Sequence, residues 1–215
     1  MISEEERVRS EVEPWLAEHI PHGDGIAIDV GANIGEWTSF LANRFFKVAS
    51  IEPDPRAILL RQENCAGLQN VWLVNKAVCG SPGKITLYQY EKSVWTSSCE
   101  CRDDAGAHTG SFDVECTTLD ELYSAIRVLQ PDKSVQFIKI DIEGGETLAL
   151  HGGRQLLAEQ LPKLIVEIHS PLNAASCASI LHDLGYSLKK VIHPWRVEGE
   201  PGTEQHFWYI AERAK

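Results

Sequence analysis

Apolar positions along the chain follow two alternating rhythms. Short runs that are apolar at nearly every position (25–30, 48–51, 71–74, 135–140 and 164–168) are separated by stretches in which apolar residues recur every three or four positions, as Trp37, Phe40, Leu41 and Phe45 do. The runs read as strands buried on both faces, and the spaced stretches as helices packed by one side. Repeated β-α-β units of this kind predict an α/β fold with a doubly wound, mostly parallel sheet. Helices are expected up to Asn64 around Ile58 and Leu59, after Thr118 as N-cap with Asp120 and Glu121 in the first turn, over 146–157, and over 173–184 before Gly185. Residues 186–192 and 206–211 form a closing pair across a loop, 193–205, that suits a hairpin, so the last strand is expected to run antiparallel.

Two segments break the rhythm. Ser3 and Glu6 make a capping box ahead of Val8, Val12, Leu16 and Ile20, which predicts an amphipathic helical extension over residues 1–22, interrupted at Pro14. Within the domain proper, 23–215, residues 83–90 read as an antiparallel extended piece, while 93–110 is polar and aperiodic. Residues 92–116 are therefore expected to form a lid or acceptor loop.

Composition narrows the partners. A chain of 215 residues carries one domain. Its 31 acidic against 20 basic residues, a net charge of −11, oppose nucleic acid as a partner. The six cysteines include no C-x-x-C pair, so neither a zinc site nor a disulfide framework is signalled, and reduced thiols in a cytoplasmic protein are expected. The start is acidic where a signal peptide is basic, and no run approaches the ~18 apolar residues of a membrane span.

Chemistry concentrates at predicted strand ends. Asp29-Val30-Gly31-Ala32-Asn33-Ile34-Gly35 leaves the first strand and opens a helix, a strand–turn–helix device whose amides suit a nucleotide. Asp29 changes the ligand: a carboxylate just before the first glycine repels a pyrophosphate and welcomes the ammonium and sulfonium of S-adenosylmethionine. Glu52, about 20 residues beyond the turn at the end of the second strand, is placed for the ribose hydroxyls. Asn75 is a candidate for the adenine edge, with Ala77 leaving room for the ring. Lys139, Asp141 and Glu143 alternate at one strand end, as Glu167 and His169 do at another. If those strands are neighbours, the groups can act as a general base, hold a divalent ion or form an ion-pair network. His169 is the first candidate base because an ordinary imidazole titrates near neutrality, with Asp141 and Glu143 next. Trp95 and Ser97 in the long loop, and Trp195 and Arg196 in the terminal loop, are candidate acceptor contacts. His19, His22, His108, His151, His182, His193 and His206 have no partners at ligand spacing and are expected to be solvated or locally bonded.

The glycine turn, Ile51-Glu52-Pro53, Thr118-Leu119-Asp120-Glu121-Leu122 and above all Lys139-Ile140-Asp141-Ile142-Glu143-Gly144-Gly145-Glu146 resemble the FkbM family of S-adenosylmethionine-dependent methyltransferases, in order, over about residues 26–170. The resemblance implies a seven-stranded class I methyltransferase fold, yielding S-adenosylhomocysteine as product. It implies cofactor contacts at Asp29, Gly31, Gly35, Glu52 and Asp141, with Asn33 inside the same turn. Family members that are named for their chemistry mostly methylate hydroxyls of sugars or polyketides, so a small-molecule or carbohydrate acceptor is expected. No metal is predicted, although a divalent ion is compatible with the acidic cluster. The alternatives are a non-catalytic nucleotide-binding module and an NAD-dependent oxidoreductase, the latter opposed by Asp29 and the missing middle glycine.

Overall fold

The structure is a computed structural model that describes residues 14–90, 93–97, 108–193 and 206–214. The first half runs α1 (Pro14–Ala17), β1 (Ile26–Val30), α2 (Glu36–Ala42), β2 (Lys47–Ile51), α3 (Pro55–Asn64), β3 (Val71–Val74), β4 (Ala77–Val78), β5 (Gly83–Tyr90), β6 (Ser93–Ser97) and β7 (His108–Thr117). The second half runs α4 (Leu119–Leu129), β8 (Val135–Ile140), α5 (Glu146–His151), α6 (Arg154–Gln160), β9 (Lys163–Ile168), α7 (Pro171–Asp183), β10 (Tyr186–Ile192) and β11 (Phe207–Arg213).

Seven strands form one sheet in the order β10-β11-β9-β8-β1-β2-β3. β11 lies antiparallel to both β9 and β10, and the other pairings are parallel. Alternation along the strands divides the core. Ile28, Val30, Ile138, Ile140, Val166 and Ile168 face α4 to α7 through Leu119, Leu150, Leu157 and Leu181. Ala27, Val48, Phe137, Ile165 and Trp208 face the other way and meet Leu16, Ile20 and Leu41 from the N-terminal segment and α2. Asp29 and Lys139 are register partners on β1 and β8, and their parity puts them on this second face.

Two expectations are corrected. Residues 92–116 are not simply a loop: β6 and β7 join β5 and β4 in a second, four-stranded sheet. Phe112, Val114 and Cys116 alternate with exposed Ser111, Asp113 and Glu115, so β7 is a half-covered strand with polar residues on its open face. The helix expected over 146–157 is two helices parted at Gly152-Gly153, where a Cβ at Gly152 would stand 2.2 Å from the Cys79 carbonyl oxygen. Of the N-terminal extension, the capping box and Val8 and Val12 lie outside the described residues, whereas Leu16 and Ile20 are buried against the sheet. At α4 the structure has the capping box complete, with the Thr118 hydroxyl accepting from the Glu121 amide and the Glu121 carboxylate accepting from the Thr118 amide. No helix among the described residues is long and apolar enough to cross a membrane.

Candidate functional site

The turn after β1 folds back on the end of β2. The Gly31 and Ala32 amides donate to the Ile51 carbonyl at 3.0 and 2.9 Å, the Gly35 amide donates to the Ala32 carbonyl at 2.8 Å, and the Asn33 amide donates to Glu52 Oε2 at 2.8 Å. These amides are spent within the protein, which corrects the expectation that they await a ligand. Gly31 is required by a close approach, since at φ 76° its Cβ would lie 1.8 Å from the Asp141 carbonyl oxygen. Asn33 also adopts a left-handed backbone, φ 48°. Gly35 lets α2 start against α3, where a Cβ would press on Cys65 Sγ at 2.9 Å.

Glu52 is buried beneath this turn and accepts the Asp54 amide through Oε1 at 2.8 Å as well as the Asn33 amide through Oε2. Burial holds its pKa above the ordinary value, against the pull of those two amides and the Arg61 charge. Each carboxylate oxygen keeps a second lone pair, enough for two ribose hydroxyls. Arg61, read from sequence only as a helix residue, is fully buried; it donates to the Ser50 carbonyl at 2.7 Å and to Asn75 Oδ1 at 2.6 Å. Asn75 is thereby fixed beside the strand ends with its amide nitrogen outside that bond. Ala77 is packed in the small core with Cys79 and Cys116.

Asp29 has no exposed surface, so it does not present an open face to a ligand as the sequence suggested. Its Oδ2 accepts from the Thr38 hydroxyl at 2.7 Å, and its Oδ1, without a hydrogen bond, lies 3.5 Å from Lys139 Nζ. Lys139 in turn donates to the Gly31 carbonyl at 2.7 Å and pairs with Asp141 Oδ2 at 3.4 Å. Burial alone would lower the Lys139 pKa, but Asp141, Asp29 and Glu167 outweigh it and hold the amine charged. The ammonium therefore locks the glycine turn to β8.

β8 and β9 are neighbours, and Asp141, Glu143, Glu167 and His169 do converge. His169 Nε2 lies 3.7 Å from Asp141 Oδ1, 3.7 Å from Glu143 Oε2 and 4.0 Å from Glu167 Oε2. Its Nδ1 is 2.8 Å from Glu146 Oε1, a carboxylate with no exposed surface that also accepts from the Gly144 amide and from Asn173 Nδ2. Burial would lower the His169 pKa, but the bond to Glu146 and the charges of Glu143, Glu146 and Glu167 raise it to about 10. At neutral pH the ring is a cation, which corrects the expectation of a free imidazole base. Lys139 and His169 overcome the burial cost at Asp141 and hold that carboxyl below the usual range. Glu143 reaches the cluster from a left-handed backbone, φ 53°.

Two histidines expected to be solvated or locally bonded belong here. His193 Nε2 is 3.1 Å from Glu167 Oε1, and the His206 ring stands edge-on to His169 with centroids 5.5 Å apart. His193 follows β10 and His206 precedes β11, and the pairing of Ile192 with Phe207 and of Phe207 with Ile168 brings both to the end of β9. Trp195 and Arg196 lie outside the described residues, as do the side chains of Trp95 and Ser97, whose backbone is in β6.

The crevice thus offers acceptors, Glu52 on one side and Asp141 and Glu143 on the other, with the glycine turn between them. That donor set fits a cationic sulfonium nucleoside with two ribose hydroxyls and does not fit a pyrophosphate. A parallel sheet closed by one antiparallel strand is the Rossmann-like fold of class I methyltransferases. The Methyltransferase FkbM domain profile matches residues 29–188, and the chain belongs to that S-adenosylmethionine-dependent family.

Among solved structures, a methyltransferase FkbM from Methylobacillus flagellatus is 19% identical with a TM-score of 0.58; the match covers 89% of this chain and 44% of that one, so this chain spans less than half its length. A Streptococcus mutans methyltransferase candidate, solved in complex with S-adenosylhomocysteine, is 12% identical with a TM-score of 0.55 over 99% of both chains. An rRNA methylase from Streptococcus thermophilus is 13% identical with a TM-score of 0.56, covering 100% of this chain and 99% of that one. These likenesses are likenesses of fold. No curated protein matches the chain.

Proposed function

We propose that the protein transfers the methyl group of S-adenosylmethionine to a hydroxyl oxygen of a small molecule or sugar. The observation that carries this reading is the pairing of an acceptor-lined cofactor crevice, centred on Glu52 and Gly31, with the carboxylate–histidine cluster of Asp141, Glu143, Glu167 and His169 at the adjoining strand ends. When bound, the cofactor supplies an activated methyl for in-line displacement, so the protein's task is to orient and desolvate the reactants. Glu52 holds the ribose hydroxyls. Asp29 acts through Lys139, which keeps the Gly31 carbonyl and Asp141 in place. A hydroxyl acceptor must lose a proton, and that proton passes to a carboxylate of the cluster, Glu143 or Asp141, while the His169 cation offsets the negative charge growing on oxygen. The net charge of −11 and the acidic crevice favour a small acceptor over RNA.

Calorimetry tests the cofactor half. Glu52→Ala removes two charge-assisted hydrogen bonds of about 1.5–3 kcal/mol each and is expected to weaken S-adenosylmethionine at least ~10-fold. Unchanged affinity, or heat from NAD instead, overturns the crevice. A panel of hydroxylated small molecules, sugars and RNA, scored by S-adenosylhomocysteine formed, tests the acceptor half, and turnover on RNA alone sinks it.

A further inference from the structure

Three side chains of the cluster share one arrangement. Each has one polar atom fixed by a partner outside the trio and a second atom turned toward a common gap. Asp141 Oδ2 is held by Lys139 at 3.4 Å, and its Oδ1 faces inward. Glu167 Oε1 is held by His193 at 3.1 Å, and its Oε2 faces inward. His169 Nδ1 is held by Glu146 at 2.8 Å, and its Nε2 faces inward. His169 Nε2 is too far from any carboxylate for a hydrogen bond, which runs at about 2.7–3.2 Å: it stands 3.7 Å from Asp141 Oδ1, 3.7 Å from Glu143 Oε2 and 4.0 Å from Glu167 Oε2, although only 8% of the His169 side chain is exposed. A buried ring nitrogen is thus aimed into the gap without a hydrogen bond to fill it.

Atoms bound at about 2.0–2.2 Å to one ion stand roughly 3–4 Å from one another. Ligand atoms of Asp141, Glu167 and His169 all lie within 4.8 Å of one another, a small contraction from that spacing. Glu146 stands behind His169 as a carboxylate stands behind a metal-bound imidazole, fixing the tautomer and the ring plane. Lys139 does not fill the gap, because its ammonium is committed to the Gly31 carbonyl, Asp29 and the outer oxygen of Asp141.

We propose that Asp141 Oδ1, Glu167 Oε2 and His169 Nε2 form a three-point site for a divalent cation of the Mn2+ type, with the remaining positions directed to the crevice for an oxygen of the methyl acceptor. Two carboxylates and one imidazole suit such an ion better than a soft metal, and three protein ligands leave the open positions of a catalytic rather than a structural site. The proposal rests on the methyltransferase reading only for what fills those open positions. Binding of the ion displaces the Nε2 proton that makes His169 a cation in its absence, and the ion then carries the positive charge; with Asp141 and His169 engaged, Glu143 is the group left to take the acceptor's proton.

The experiment uses the full chain stripped with EDTA and titrated with Mn2+ alone, followed by loss of the free-ion electron paramagnetic resonance signal and by calorimetry. One ion per chain is expected, with pulsed resonance showing one coupled imidazole nitrogen. Glu167→Gln and His169→Gln are each expected to weaken Mn2+ at least ~10-fold, the latter abolishing the nitrogen coupling, while the exposed Glu63→Gln leaves binding unchanged. Circular dichroism and S-adenosylmethionine binding, measured on every variant, report folding and the cofactor crevice separately. No bound Mn2+, or equal affinity in Glu167→Gln and His169→Gln, overturns the metal site while leaving the cofactor reading intact. Loss of S-adenosylmethionine binding by the unaltered chain overturns the cofactor reading instead.

Discussion

Gly31 and Lys139 show how closely single residues hold this crevice together. A methyl group at Gly31 would meet the Asp141 carbonyl oxygen at 1.8 Å on a backbone at φ 76°, so neither the turn nor β8 can accept it without moving apart. Gly31→Ala is therefore expected to lose about 2–4 kcal/mol, the range of combined strain and overpacking, and with it most cofactor affinity; urea unfolding and calorimetry check both. Lys139 carries a buried ammonium between Asp29, which has no exposed surface, and Asp141. Lys139→Met leaves those carboxylates facing each other uncompensated and is expected to cost about 3–5 kcal/mol. If the double variant Lys139→Met/Asp29→Asn recovers much of that loss, the charge rather than the packing of Lys139 is what the site needs. An equal loss in both variants assigns it to packing.

At the level of elements, strands buried on both faces were the most legible part of the sequence, because a run such as Val135–Ile140 admits few other readings. The site was legible where chemistry interrupts such a run: Lys139, Asp141, Glu167 and His169 stand out as costly charges that only a strand end facing a crevice explains. What stayed hidden depends on contacts distant in sequence. Glu146 reads locally as an acid in the first turn of a helix, and nothing near it shows that it supports a histidine 23 residues away. His193 and His206 reach the cluster only through the antiparallel closure of β11 on β9 and β10. The break at Gly152-Gly153 was hidden for the same reason, since Gly152 passes close to the carbonyl of Cys79, distant in sequence. Gly152→Ala drives a Cβ to 2.2 Å from that oxygen and is expected to destabilise the domain by roughly 1–3 kcal/mol. A fall in the urea midpoint without a change in slope is the expected result, and an unchanged midpoint would show that the α5–α6 break is not held by this contact.

Across the molecule, two cores on opposite faces of one sheet must form together for the strand ends to meet, and the buried thiols report on both the main core and the small one. Among the described residues Cys65, Cys79, Cys116 and Cys177 are free and buried. Burial, the larger cause at each, pushes Cys79 and Cys177 up to about 12. Cys177 lies on the buried side of α7 in the main core and Cys79 in the core of the second sheet. An unfolded thiol ionises near pH ~8.5. The folded values are therefore raised, and the sign follows from linkage: the stabilisation is complete below the unfolded value and is lost as pH rises from ~8.5 to about 12. Urea midpoints are expected to be lower at pH 10 than at pH 8, and Cys79→Ala/Cys177→Ala is expected to flatten that slope even though the cavities lower its absolute stability. In the native protein at pH 8, alkylation followed by mass spectrometry at these two positions should track global unfolding rather than surface exposure. Fast modification of Cys79 with Cys177 protected would show instead that the second sheet opens on its own, independently of the sheet that carries the crevice.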